Sequence, residues 1–473
     1  MKRIALALVC CSLSASAALA KEEAPLPKDL PPYGQDKPLP VPEIAQRTLP
    51  NGLSVWIVPR TGLPKINVVM AVRGGLSADA PERSGTASLV AGLLNEGTAT
   101  RSSRQIAEEL QAIGGSIGAG AGTDGITVYG DAFSSQAAQL MTVFADVVRN
   151  AAYPETEVKL GKANALEGLK ANEATPNFLA ERAMAATLYG AHPYGRPTAT
   201  EASITGVTPE YLRETHAARF RPDRALLVIA GRITSANNFA LAEKHFGDWA
   251  GKGKPPADPP KIDATPQPQL VLVERGGSVQ SALRIGRRGV AATSEDAIPL
   301  ALTNVILGGG FTSRITQNIR EDKGYTYSPG SQVVRAREGG ALVARAEVRN
   351  DVTAAAINEV LYEFDRIGTT LVPEDELARA KRYFAGLYLY ANQLQGAVAA
   401  TLANNWLVGL PPEYLGSYVA RAQAVTAEQV REIGRKYYPA RYQSLVVVGE
   451  RAAIAKELEQ YGEFTSFTPP AAP

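Results

Sequence analysis

The chain has 473 residues, of which 45% are hydrophobic and 20% are charged, and its formal net charge is +2. This composition is typical of a globular protein long enough for two or more domains with substantial cores. The near-neutral charge argues against a polyanionic partner, so nucleic acid is not expected.

Residues 1–20 have the three parts of a secretory signal peptide. A basic start precedes a short apolar run, and an A-x-A cleavage site ends at Ala20. Cleavage there predicts a periplasmic protein. The alternative is a lipoprotein signal at Cys10 or Cys11, which the short apolar run before them disfavours.

The predicted mature chain differs from the full chain in two properties. Both cysteines leave with the signal peptide, so we expect neither disulfides nor thiolate ligands. The loss of Lys2 and Arg3 lowers the net charge from +2 to 0. No later apolar run reaches about 18 residues, and a membrane span is therefore not expected.

Proline and glycine divide the mature chain. Residues 21–44 contain too many prolines for a helix or a central strand, which predicts an extended arm. A second Pro- and Gly-rich stretch predicts a linker between two halves. The segments predicted after the arm are an N-terminal domain, the linker, a C-terminal domain and a tail: residues 45–250, 251–268, 269–460 and 461–473.

Strands and helices are mixed within each half. Apolar residues that alternate along the chain predict strands, and those that recur with a 3.6-residue period predict helices. The predicted strands are 53–58 and 66–72, the helices are 105–113 and 136–148, a hairpin joins 325–337 to 340–348, and later helices begin near Val352 and Glu374.

The two halves repeat each other. Residues 207–214 match 425–432, and residues 225–231 match 443–449, both at a spacing of 218. In each half, the first segment has the pattern of a Thr-capped helix and the second has the pattern of an apolar strand. Two matches at one spacing predict a duplication, with an α+β fold of two homologous α/β-sandwich domains whose mainly antiparallel sheets are covered by helices.

Residues 85–98 have the frame of a zinc-peptidase helix without its ligands. They resemble the inverzincin signature of the pitrilysin/insulinase superfamily, G-x-A-H-x-x-E-H-x-x-x-x-G-T. In that frame two histidines four residues apart bind one zinc ion, and the glutamate acts as general base. Here Ser88 and Gly92 stand at the histidine positions, and Ala91 stands at the glutamate position.

The third ligand of the family is also missing. It is a glutamate about 76 residues after the second histidine, which corresponds to Gly168 here. Glu167 is one residue out of frame, and that shift turns a helical side chain by about 100°. His192, His216 and His245 are too far apart in sequence to form a replacement pair. We therefore expect no metal site and no cofactor in this chain.

The second half contains a different motif of the same family. Residues 307–314 and 319–328 resemble L-G-G-G-x-x-S-R-L…L-R-E-x-x-G-L-x-Y-S. In active relatives the arginine and the tyrosine seven residues later reach substrate at the zinc. Arg320 and Tyr327 occupy those positions, and the resemblance implies that both are catalytic. A guanidinium and a phenol can hold a substrate carbonyl and stabilise the developing oxyanion.

Structural roles are the alternative for this second motif. Arg320 would complement the C-terminus of a helix that Gly324 ends, and Tyr327 would share a strand face with Tyr325. The three glycines of the motif permit either a helix-end turn or close approach to a peptide substrate: Gly308, Gly309 and Gly310.

The resemblance implies a function that is shared between two chains. Small members of the superfamily can form an active protease from one chain with the H-x-x-E-H helix and another with the arginine and tyrosine. We therefore expect two peptidase-like domains in the metal-free subunit of a periplasmic heterodimer. Its homologous partner would carry Zn²⁺, and the dimer would close as a clam-shell around peptide substrates. Alone, this chain would not be a peptidase.

Two non-enzymatic functions remain open from the sequence. The fold could be a scaffold in an envelope complex, or a homodimer could bind peptides in its cavity without hydrolysis. A zinc protease that acts alone is the function that the residues oppose, because fold does not carry activity without its site.

Overall fold

The structure is a computed structural model that describes residues 42–262 and 267–467. The predicted signal peptide, most of the predicted arm, part of the predicted linker and the end of the predicted tail lie outside the described residues. None of the helices in the described part is both long and apolar enough to cross a bilayer. The predicted domain boundaries remain a prediction.

Within these residues the strands are β1 (Ala45–Thr48), β2 (Ser54–Pro59), β3 (Lys65–Arg73), β4 (Ser116–Ala121), β5 (Gly125–Phe133), β6 (Ala225–Gly231), β7 (Leu270–Glu274), β8 (Gln280–Arg288), β9 (Gly330–Val334), β10 (Ala341–Arg349), β11 (Ser444–Gly449) and β12 (Thr465–Ser466). The α-helices of the first half are α1 (Thr86–Gly92), α2 (Ser103–Ala112), α3 (Ala137–Asn150), α4 (Glu155–Glu173), α5 (Pro176–Tyr189), α6 (Glu201–Thr205), α7 (Pro209–Arg219) and α8 (Ser235–Phe246). Those of the second half are α9 (Ala297–Leu307), α10 (Thr353–Thr369), α11 (Glu374–Ala391), α12 (Gln395–Leu407), α13 (Tyr414–Gln423), α14 (Ala427–Tyr437) and α15 (Arg451–Leu458). A π-helix spans Thr316–Asp322.

Each half forms a six-stranded sheet with the same internal order. The first sheet runs β1-β2-β6-β3-β5-β4, and the second runs β12-β7-β11-β8-β10-β9. In both, the late central strand is parallel to one neighbour and antiparallel to the other. Only the first edge differs, because β1 is antiparallel to β2 whereas β12 is parallel to β7. The predicted duplication and the α+β fold with mainly antiparallel pairing are confirmed.

The paired helices near the end of each half begin where the sequence predicts. The Thr208 hydroxyl accepts a hydrogen bond from the Tyr211 amide, and the Thr426 hydroxyl accepts one from the Gln429 amide, each at 3.2 Å. Such caps satisfy amide groups that the first helical turn leaves unpaired. The apolar strands β6 and β11 follow these helices and are buried along their whole length.

The first strand of the predicted hairpin is shorter than expected. The prediction of a strand over 325–337 is wrong at both ends, because β9 begins only at Gly330 and ends at Val334. Gly324 has a φ of +63° and ends the π-helix, and the Tyr325 amide donates back to the Ile319 carbonyl at 2.9 Å. Pro329 then lacks the amide hydrogen that strand pairing requires. The alternative that Tyr325 and Tyr327 are strand residues is therefore wrong.

The two halves exchange helices. Along β2, alternate side chains enter the core of the first half or face the opposite side of the sheet. That opposite side packs against α12, which comes from the second half. Reciprocally, α5 of the first half packs on β8 and β11 of the second sheet. Each sheet thus completes its burial with a helix from the other half.

Candidate functional site

The positions of the three family metal ligands meet in the fold. Ser88 and Gly92 are exposed one turn apart on α1, and Gly168 faces them from α4. All three line one cavity of about 560 Å³. Glu167 is exposed and does not line this cavity, whereas Ala91 is buried in the core. The one-residue frame shift therefore separates Glu167 from the ligand positions.

The residues at these positions do not fit a zinc ion. Ser88, Gly92 and Gly168 together offer one hydroxyl, no imidazole and no carboxylate, whereas zinc sites use nitrogen, sulfur or carboxylate ligands. A Cβ atom added at Gly92 or Gly168 would meet no other atom within 4 Å, so the space itself is open. Across the described residues, no three His, Cys, Asp or Glu side chains are close enough to share a metal.

Two carboxylates lie in the same cavity. Glu96 follows α1, and Glu157 lies in the first turn of α4. The pKa of Glu96 is raised, first because burial disfavours its charged form and second because the negative charge of Glu157 repels it. The cavity is therefore acidic, which the sequence analysis did not predict, since the two residues are far apart in the chain.

The histidines take structural roles at separate places. His216 is buried against Phe220, with ring centroids 4.3 Å apart, and its Nε2 donates to the Val148 carbonyl at 3.0 Å. Burial lowers the pKa of His216 to about 4. His192 accepts a hydrogen bond from the Tyr194 amide at 3.1 Å. Burial also lowers the pKa of His245.

The second predicted group of site residues comes together on the surface of the other half. Arg320 lies in the π-helix, and its Cζ atom is 4.6 Å from the ring centroid of Tyr327, which is 79% exposed. Its Nε forms an ion pair with Glu321 Oε1 at 3.0 Å. π-Helices are rare and frequently occur at functional sites. Neither Arg320 nor Tyr327 lines the acidic cavity.

The sequence analysis missed a third member of this surface group. Phe311 also contacts Arg320, with its ring centroid 4.4 Å from Cζ. The guanidinium therefore lies close to two exposed aromatic rings, and cation–π attraction stabilises both contacts. The only sequence signal was an aromatic residue directly after the three glycines, and the contact depends on how the turn folds back.

The glycines that precede Phe311 form the turn at the end of α9. The Gly308 carbonyl accepts from the Ser331 amide at 2.8 Å, and a Cβ at Gly308 would lie 2.4 Å from the Ser331 hydroxyl. A Cβ at Gly309 would lie 3.0 Å from Asn304. Close packing inside the protein thus explains two of the glycines. Substrate binding by Gly308, Gly309 and Gly310 remains a prediction.

Comparisons with known proteins identify the family. Residues 59–202 match Insulinase (Peptidase family M16), and residues 206–384 match the Peptidase M16 inactive domain. An uncharacterized zinc protease of Mycobacterium leprae is 28% identical over 420 residues, which cover 85% of this chain and 91% of the relative. The uncharacterized zinc protease YmxG of Bacillus subtilis is 25% identical over 404 residues, covering 84% and 97%.

Solved structures have the same fold. A peptidase M16 inactive domain from Pseudomonas fluorescens aligns with a TM-score of 0.80 at 24% identity, covering 86% of this chain and 98% of that one. A protease from Helicobacter pylori aligns with a TM-score of 0.79 at 18% identity, covering 86% and 100%. The solved structures show the shared fold. The two matched domains and the relatives place the chain in the M16 peptidase family of the pitrilysin/insulinase superfamily, among its small two-domain members.

Proposed function

We propose that this chain is the metal-free subunit of a periplasmic two-chain zinc metallopeptidase. The observation that carries the proposal is that the first half lacks the metal ligands of the family whereas the second half has its arginine and tyrosine. The ligand positions at Ser88, Gly92 and Gly168 form a cavity that does not fit zinc, whereas Arg320 and Tyr327 lie together on the surface. A homologous partner with an H-x-x-E-H helix would hold the zinc ion, which activates water for peptide hydrolysis.

Arg320 and Tyr327 would act on the substrate bound in that partner. The two aromatic rings that contact Arg320 restrict its guanidinium, and Glu321 pairs with its Nε. The two terminal nitrogens would donate hydrogen bonds to the substrate. The Tyr327 hydroxyl can donate a second bond to the same substrate carbonyl. Donors that are positioned before the reaction stabilise the oxyanion without the cost of reorganising water.

The heterodimer would enclose its substrates. Four homologous domains closing as a clam-shell favour short or unfolded peptides, because a folded protein could not enter. The glycine turn beside Phe311 would then border the bound peptide. This chain alone has no general base at position 91, where Ala91 stands. It is accordingly not a peptidase by itself in this proposal.

Co-purification tests the proposal directly. The mature chain is isolated from its native periplasm, and zinc content and peptide hydrolysis are measured before and after the bound partner is removed. We expect both to depend on an H-x-x-E-H protein. A zinc-free, inactive homodimer as the only species recovered would contradict the heterodimer.

Mutation tests the roles of the two residues in the reconstituted pair. Arg320→Ala and Tyr327→Phe should each lower kcat by about 10²-fold or more if they stabilise the transition state. Arg349→Ala is the matched control, because Arg349 is an exposed arginine of the same half whose partner is its neighbour Asp351. Unchanged turnover of Arg320→Ala in correctly assembled complex would overturn the catalytic role.

One observation favours a second function. A cavity of about 560 Å³ lies within the size range of ligand pockets. It supports the alternative that this protein binds peptides as a homodimer without hydrolysing them. Tight peptide binding by a homodimer that never associates with an H-x-x-E-H protein would favour this alternative.

A further inference from the structure

The cavity between α1 and α4 has the chemistry of a binding pocket rather than of a metal site. We infer that it binds the side chain of a lysine or arginine residue in a peptide. This inference goes beyond the proposed subunit role and needs neither zinc nor a partner chain, so it can be tested on this protein alone.

Small residues at the former ligand positions create the space. Ser88 and Gly92 lie on one side, and Gly161, Ala165 and Gly168 lie on the other. The added Cβ atoms at Gly92 and Gly168 meet nothing within 4 Å, so their side of the cavity is open rather than filled by neighbouring side chains. A long, unbranched side chain can therefore enter where a metal and its ligands are absent.

The walls suit an aliphatic stem. Leucine and phenylalanine side chains from α1, the residue after it, α4 and α5 surround the cavity: Leu89, Leu93, Leu160, Leu169 and Phe178. Leu160 is 57% exposed, which leaves apolar surface uncovered at this place. Lysine and arginine bury their methylene groups on such surfaces while their charged ends reach polar partners.

The charge of the cavity selects a cation. Glu96 and Glu157 are the only ionisable residues among the twenty described residues that line it. No described side chain forms an ion pair or hydrogen bond with either carboxylate. Burial of Glu96 and, second, the negative charge of Glu157 raise the pKa of Glu96, and a bound ammonium or guanidinium would offset both effects by stabilising the charged carboxylate.

A peptide fits this site better than a metal ion. Calcium needs about six to eight oxygen ligands, often from several carboxylates, whereas the cavity offers only two carboxylates, and no three acidic, His or Cys side chains of the described residues are close enough to share a metal. Asn164, Asn172 and Thr198 also line the cavity, and their side chains can bond to a peptide backbone. An acidic peptide would be repelled by the same carboxylates.

Binding of blocked pentapeptides to the purified mature chain tests the inference. The probes contain four alanines around a central lysine, arginine or norleucine, and calorimetry is performed in the presence of a chelator. Norleucine keeps the aliphatic stem without the charge. We expect lysine and arginine peptides to bind at least about tenfold more tightly than the norleucine peptide.

Variants then locate the site. Glu96→Gln and Glu157→Gln should each weaken lysine-peptide binding by about tenfold. Glu155→Gln is the control, because Glu155 is an exposed residue of the same helical turn that does not line the cavity. Gly168→Leu should abolish binding by filling the cavity, and it replaces a helix-weakening glycine by a better helix former, so the fold is retained.

Two results would overturn the inference. One is equal affinity for the lysine and norleucine peptides, which would mean that the carboxylates do not select a cation. The other is unchanged binding in Gly168→Leu with an unaltered circular dichroism spectrum, which would place the peptide elsewhere. Neither result bears on Arg320 and Tyr327, because the proposed subunit role is measured by hydrolysis in the two-chain complex.

Discussion

In the first half of the molecule, Asp79 lies shortly before α1 and accepts a hydrogen bond from Arg219 of α7 at 2.7 Å. In the second half, Asp296 precedes α9 and accepts one from Tyr437 of α14 at 2.5 Å. The first pair is almost fully buried, with side chains 5% and 2% exposed, whereas Asp296 also bonds to the exposed Lys436. Each half thus has an aspartate before a helix, and the two aspartates bond to different partners.

The two halves also differ in the space beside a pair of equivalent helices, α4 and α11. At the spacing of 218, Ala165 on α4 corresponds to Tyr383 on α11. The alanine leaves the acidic cavity open, whereas the tyrosine ring packs near Gly310, where an added Cβ would be 3.1 Å away. The same backbone arrangement therefore borders a pocket in the first half and an aromatic surface in the second. The difference follows from the side chain at this position, which is Ala165 in one half and Tyr383 in the other.

Restoring the metal ligands in the first half should produce the largest effect of the changes that test this comparison. The triple variant Ser88→His, Gly92→His, Gly168→Glu should bind zinc with a Kd in the micromolar range or below, worth about 8 kcal/mol. The reason is that the three positions line one open cavity. Zinc content after gel filtration and calorimetric titration measure the effect.

Its control is the double histidine variant with Gly168 retained. Zinc binding should be weaker by at least about tenfold, since Glu167 points elsewhere. A folded triple variant that retains no zinc would mean that the three positions do not converge as the cavity implies. Hydrolysis is not expected from either variant, because Ala91 stands at the position of the general base.

Arg219→Ala should cause the largest loss of stability. It would leave the Asp79 carboxylate buried without its partner, at a cost of about 3–5 kcal/mol. The Arg219 guanidinium also donates to the Gly75 carbonyl at 3.2 Å, which would lose that bond. Urea unfolding of the two proteins measures the difference, and a loss below about 1 kcal/mol would contradict the assigned role.

Acid should destabilise the first half through His216. The folded protein holds this histidine neutral, with a pKa of about 4 against 6.5 for the unfolded chain. The unfolded state therefore binds more protons between these two values, and stability present above pH 6.5 is lost as the pH falls towards 4. The displacement corresponds to about 3 kcal/mol.

The comparison between the halves provides a control for this pH effect. Gly434 corresponds to His216 at the spacing of 218 and lets α14 approach α10 closely at Gly368. We expect His216→Gln to reduce the fall in the free energy of unfolding between pH 7 and pH 4, because glutamine does not titrate. An identical fall in the variant would show that other groups cause it.

Tyr437→Phe should have the smallest effect. It removes one hydrogen bond to Asp296, for about 1 kcal/mol, while Lys436 continues to pair with the carboxylate at 2.6 Å. Comparison with Arg219→Ala in the same unfolding assay gives the energetic contrast between the equivalent positions. Equal losses in the two variants would refute the distinction between a buried ion pair and a partly exposed acid.

The sequence by itself determined the duplicated fold and the loss of the metal ligands. Thr208 and Thr426 cap matching helices, and apolar strands follow both, because caps and periodicity depend on neighbouring residues. Ser88, Gly92 and Gly168 could be assigned as former ligand positions because helical spacing fixes which residues share a face. These patterns need no information from distant parts of the chain.

The tertiary structure decided which distant residues meet at the cavity, at Arg320 and on the faces of the sheets. Packing between distant segments made Ala165 part of a pocket, placed Glu96 beside Glu157 and laid Phe311 on Arg320. It also exchanged α5 and α12 between the sheets, since each sheet has a second apolar face that its own half leaves uncovered. Such contacts join residues far apart in sequence, and a local pattern contains no information about which of them will meet.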